Sequence, residues 1–112
     1  MTKTRTIVHV SSSNIFADLG FHDAEAHLLK AEIVSELYRL TTERKLTQIK
    51  AGERMGITQP EVSRLFKGHF REYSVERLMG FLTCFDRDVE IMTRPKPRKG
   101  QRGSIRFRPT AA

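Results

Sequence analysis

The side chains best equipped for recognition chemistry cluster in one stretch: Gln48, then Thr58, Gln59, Pro60, Glu61, Ser63, Arg64 and Lys67. Amide and guanidinium groups offer paired donors and acceptors in fixed geometry, which suits them to hold planar polar partners rather than to break bonds. Bond-breaking chemistry finds little footing elsewhere. His9, His22, His27 and His69 are scattered, and the spacing of five between His22 and His27 is off the shared helix face that a metal pair needs. The single cysteine, Cys84, supplies no zinc set and sits among apolar residues, where a buried thiol is the ordinary role. No glycine-rich phosphate loop or nucleophile elbow is present. The sequence therefore predicts no catalytic residue, no cofactor and no metal site.

For those polar side chains to act together, two helices must hold them, and residues 47–67 meet the requirements one by one. A steep helix crossing needs small residues where the backbones meet, and Ala51 and Gly52 supply them. The tight turn needs a residue tolerant of positive φ, which Gly56 provides, and a buried apolar side chain, which Ile57 provides. Val62, Leu65 and Phe66 point inward on the second helix, leaving Gln59, Glu61, Ser63, Arg64 and Lys67 outside. Thr58 and Glu61 fit a capping box, with Thr58 at the N-cap and Glu61 three residues on. Pro60 leaves the start open by one residue, because proline favours the first helical position and disfavours α geometry before it.

The flanking elements are mostly helical. A long helix is expected from an Asp23 N-cap to about residue 44, with Ala26, Leu29, Ile33, Leu37 and Leu40 forming its inner stripe. Val34 and Tyr38 widen that stripe, and Glu25, Lys30, Glu32, Glu36, Arg39 and Glu43 form a charged outer face. Thr47 can cap a helix ending at Met55, and Gly68 closes the helix that Thr58 begins. Ser74 caps a last helix to about Phe85, with Tyr73 and Leu78 placed as a hydrophobic staple. Residues 87–92 and 104–108 alternate polar and apolar side chains, which reads as a short strand or hairpin. An isolated hairpin is marginal in water, so it would have to pair across a dimer or pack on the helices. Residues 94–100 form a Pro- and Gly-containing linker.

Composition bounds the class. Among 112 residues, 38% are hydrophobic and 29% charged, which fits one globular domain with tails. No apolar run approaches the ~20 residues that a bilayer span requires, and no signal peptide is recognisable. One cysteine fits a reducing cytoplasm. The formal charge is +7, and its location is informative. Residues 93–112 hold seven of the twenty basic side chains and no acid, so the rest of the chain is neutral, thirteen against thirteen. That pattern describes a basic arm attached to a neutral domain. The organisation expected is a flexible segment at 1–13, a domain at 14–92 with its helix pair at 47–67, and a flexible basic tail at 93–112.

In register, Thr47, Gln48, Gly56, Ile57, Thr58, Val62, Ser63, Leu65 and Gly68 resemble the helix-turn-helix of the Xre/phage-repressor family, with Gly52 in place of the usual alanine. Residues 14–21 (Asn-Ile-Phe-Ala-Asp-Leu-Gly-Phe) and 87–91 (Arg-Asp-Val-Glu-Ile) resemble the HigA-type antitoxin subgroup over about residues 14–92. The resemblance implies an all-α, five-helix repressor-like domain, a cytoplasmic homodimer, a palindromic duplex-DNA operator, and a RelE-like toxin as protein partner. On matching positions it implies that Gln48 holds a phosphate, Gln59 reads adenine and Arg64 reads guanine. Pro60 would touch a thymine methyl, Glu61 would cap or accept from cytosine, and Thr58, Ser63 and Lys67 would serve the cap and the DNA backbone. Apart from the resemblance, the charge asymmetry suggests that the tail adds phosphate contacts or enters a neighbouring minor groove.

Two other readings stand beside this one. RNA binding is supported only by the basic tail, since aromatics spaced for base stacking are missing apart from Phe107. A stand-alone Xre-type regulator with no toxin partner accounts for the same motif.

Overall fold

The computed structural model describes residues 23–95 and 100–110. Four helices are present among them: α1 (Asp23–Glu43), α2 (Gln48–Met55), α3 (Gln59–Phe66) and α4 (Val75–Thr83). None is long and apolar enough to cross a membrane. The expected segments at 1–13 and 14–21, and most of the Pro-rich linker, lie outside the described residues.

α1 packs against α3 and α4, while α2 packs against α3. The inner stripe of α1 is buried as its spacing predicts, with Leu29, Ile33, Val34, Leu37 and Leu40 in the core. They meet Val62 and Leu65 of α3, Leu78, Phe81 and Leu82 of α4, and Phe85 just beyond it. Each such side chain taken from water contributes about 1.5–3 kcal/mol, so this common core, more than any local propensity, fixes the helices in space. Each of the three short helices starts at a hydroxyl cap, on Thr47, Thr58 and Ser74, whose side-chain oxygens accept from Lys50, Glu61 and Arg77 amides.

Several expectations need correction. There are four helices among the described residues where five were expected, and no strand or hairpin. Residues 87–92 and 104–108 contain no helix, turn or bend and form no strand pairing among the described residues, so alternation alone produced no sheet there. Asp23 lies inside the first turn of α1, where its charge favours the helix N-terminus, rather than before it. The last helix stops at Thr83, and Phe85 reaches the core from the following turn. On α1, Tyr38 is 55% exposed and meets Phe66 edge-on, whereas Glu36, expected outside, is 5% exposed. Burial of the Glu36 carboxylate is tolerated because Arg39 donates to both of its oxygens at 2.8 Å. Those hydrogen bonds raise the pKa of Arg39 further above its ordinary value.

Two arginines tie the far end of α4 to the rest. Arg44, just after α1, and Arg54, on α2, both stack over the Phe85 ring and both pair with Asp86, at 3.3 and 3.7 Å. Arg54 also donates to the Cys84 carbonyl at 3.0 Å. The chain therefore leaves α4 in a fixed direction.

The basic tail differs most from its expected freedom. Phe107 is half-buried and packs on the core, and its amide donates to Glu32 at 3.3 Å. Arg106 pairs with the same carboxylate at 2.9 Å and Arg102 with Glu25 at 3.8 Å. The acids of α1 thus take up charge that the sequence suggested was offered to a polyanion. Exposed ion pairs contribute up to ~1 kcal/mol, so the attachment is modest. Replacing Glu32→Ala should speed tryptic cleavage after Arg106 a few-fold while leaving the helical circular-dichroism signal unchanged. An unaltered cleavage rate would show that Glu32 does not hold the tail.

Candidate nucleic-acid interface

The corner between α2 and α3 determines what α3 can present. Gly56 adopts φ +76°, the left-handed conformation its sequence position predicts. Its amide and that of Ile57 both donate to the Gly52 carbonyl, at 2.7 and 3.0 Å. Gly52 itself is pressed against the turn. A Cβ placed there would lie 2.5 Å from the Ile57 carbonyl oxygen and 3.3 Å from Val62 Cγ2. The glycine that departs from the family's usual alanine is thus required by the backbone of this corner.

Ile57 is buried behind the turn, and Val62 and Leu65 are fully buried. With those anchors inside, helical periodicity places Gln59, Pro60, Ser63, Arg64 and Lys67 on one outer flank. Gln59, Pro60, Arg64 and Lys67 are exposed and Ser63 is half-buried. Arg64 forms no ion pair among the described residues, so its five donors face solvent.

The start of α3 is settled as well. Thr58 is the N-cap, at φ −81° and ψ 163°, and Pro60 falls in the first turn, where its missing amide hydrogen costs no helical bond. Glu61 Oε1 accepts from the Thr58 amide at 2.8 Å and from its hydroxyl at 3.0 Å, and Thr58 Oγ1 accepts from the Glu61 amide at 3.3 Å. The backbone hydrogen bond from Thr58 is the main reason the Glu61 carboxyl is held below its ordinary pKa. Glu61 thus serves the cap through Oε1 alone.

Sequence reasoning placed Gln48 and Gln59 separately and missed that they meet. Gln59 Nε2 donates to Gln48 Oε1 at 2.6 Å, across the two helices. The signal was available: each glutamine is the first residue of its helix, so the corner brings both side chains to one edge. The bond fixes the Gln59 amide while leaving its oxygen and second N–H unused. Arg54 was also given no role, because its partners, Cys84 and Asp86, are thirty or more residues distant and only the fold unites them.

A helix pair of this kind is shared with known proteins. The family described as helix-turn-helix domain matches residues 15–94. The chain belongs to that family. A solved structure named as an XRE family transcriptional regulator is 40% identical, with a TM-score of 0.69, over 81% of this chain and all of the other. No curated protein sequence matches the chain. In this helix-turn-helix protein, α2 and α3 are the two motif helices; six of the eight sequence-predicted site residues lie on them, and the other two, Thr58 and Lys67, are the N-cap and C-cap of α3.

Two outcomes test the geometry. Gly52→Ala should gain up to ~1 kcal/mol of helix propensity but lose ~1–3 kcal/mol to overpacking, so its thermal midpoint should fall by several degrees. A raised midpoint would mean that the corner has room. Because the folded-state pKa of Glu61 is depressed, its capping contribution is present above the ordinary carboxylate range and is lost as pH falls through the lower folded value. The Thr58 amide proton shift should consequently titrate with a midpoint below 4.5, and a midpoint at or above 4.5 would contradict the capping box.

Proposed function

We propose that this helix-turn-helix protein is a transcriptional repressor that binds a palindromic duplex operator as a homodimer, reading bases with the outer flank of α3. The observation that carries the proposal is the exposed flank Gln59–Pro60–Ser63–Arg64–Lys67, propped outward at the Gly52 corner. An α-helix fits the major groove, where the base edges are distinguishable. Membership of the family and the 40% identity to a named transcriptional regulator support the same reading.

The roles follow from the chemistry of each group. Gln48, opening α2, donates to a phosphate with help from that helix's N-terminus. Gln59, steadied by Gln48, offers its oxygen to adenine N6 and its second N–H to N7. Arg64 spans guanine O6 and N7, Pro60 lies against a thymine methyl, and Ser63 and Lys67 meet the backbone. Thr58 and Glu61 keep the reading end of α3 rigid. A single motif reads few base pairs, and two copies about 34 Å apart supply the rest of the specificity. Such a protein works in the cytoplasm, with DNA as its partner and no cofactor.

A finer reading adds a protein partner. The likeness of residues 14–21 and 87–91 to HigA-type antitoxins supports a repressor that also neutralises a RelE-like toxin and autoregulates the shared operon. A stand-alone regulator accounts equally well for the fold and the interface. Co-expression with the product of the adjacent gene separates them: capture of that product and relief of its toxicity support the antitoxin, and their absence supports the solitary regulator.

On a duplex selected from random sequence, Arg64→Ala should cost ~1–3 kcal/mol and relax preference at one position. Lys67→Ala should weaken selected and random duplexes alike and flatten the salt dependence by about one unit of slope. Equal losses on selected and random DNA for Arg64→Ala would contradict base reading.

A further inference from the structure

The chain beyond α4 carries a feature that the DNA-facing flank does not use. Residues 87–95 contain no helix, turn or bend, and no backbone–backbone hydrogen bond joins positions 88–95 to any described residue. Val89 packs against the core, whereas Ile91 and Met92 are 80% and 82% exposed. No other large hydrophobic side chain among the described residues exceeds 59%. An unpaired extended edge bearing bare apolar side chains is adhesive unless something covers it.

The order of charges along this segment selects the cover. In an extended chain Asp88, Glu90, Met92 and Arg94 share one face, acidic at the start and basic at the end, and Val89, Ile91 and Thr93 share the other. Asp88, Glu90 and Arg94 are exposed and form no ion pair among the described residues. We infer that residues 87–95 are the self-association surface, on which the same segment of a second copy lies antiparallel. With Ile91 at the two-fold axis, Asp88 faces Arg94 of the copy, Val89 faces Thr93, Glu90 faces Met92, and Ile91 meets its own counterpart. A parallel arrangement would set Asp88 against Asp88 and Arg94 against Arg94, which is unfavourable. Pro95, lacking an amide hydrogen, ends the ladder.

The inference rests on the dimeric reading above and gives it a place. Because Arg44 and Arg54 clamp the turn at Phe85 and Asp86, the segment has a fixed direction relative to α2 and the corner behind it. Pairing there would set the separation of the two α3 helices, and with it the spacing of the half-sites.

The test is gel filtration with light scattering on the full chain at tens of micromolar, without DNA. The unaltered protein should be a dimer. Ile91→Lys should weaken the dimer at least about tenfold, because it removes the central apolar anchor and sets two lysines against each other at the axis. Its helical circular-dichroism signal should be unchanged, because the Ile91 side chain lies outside the core of each copy. Asp88→Arg should also weaken the dimer, and adding Arg94→Asp should restore it. A monomeric parent, a dimer indifferent to Ile91→Lys, or a charge swap that restores nothing would overturn the inference. Since self-association is read without DNA, its failure is distinct from failure of base reading, which a half-site duplex and Arg64→Ala report separately.

Discussion

The fold depends on one close approach of backbone to backbone, at Gly52 and Ile57. No side chain, not even a methyl group, fits between them without displacing a carbonyl. That approach lets the Gly52 carbonyl take two amides, from Gly56 and Ile57, and so satisfies the polar groups of the corner without water. It also seats Val62 on the α2 backbone. Once Val62 is seated, the outward direction of Arg64 and Gln59 follows from helical geometry alone. The outer flank of α3 is thus set by a constraint that none of its own residues takes part in.

Charge is distributed with the same economy. The body of the chain is neutral and the tail carries the whole excess. In the folded protein two of the tail's arginines are matched by Glu25 and Glu32 of α1. The positive charge that α3 and its C-cap present comes from the exposed Arg64 and Lys67. Glu61, the one acid on α3, is drawn into the cap by Thr58 and away from the flank.

Much of this was legible in the sequence, and the reasons are local. Thr47, Thr58 and Ser74 are caps whose partners lie three residues ahead, so short-range chemistry identifies them. Gly56 announced its left-handed conformation, and the α1 stripe announced its buried face. What escaped was non-local. Glu36 read as one charge on a solvated face, and only packing shows it buried. The alternation at residues 87–92 and 104–108 is compatible with strands, but a strand needs a neighbour, and the described chain supplies none. Gln48 and Gln59 were each picked out, yet their hydrogen bond depends on the crossing of two helices. The tail read as a free arm because its partners lie more than seventy residues earlier.

The central claim is that the Arg64 edge of α3 lies in the major groove against a guanine. Methylation by dimethyl sulfate reports guanine N7 there directly. The selected operator should show at least one guanine per half-site protected by the bound protein, and that protection alone should vanish with Arg64→Ala. Bound protein that leaves every N7 reactive, or a pattern unchanged by Arg64→Ala, would contradict it.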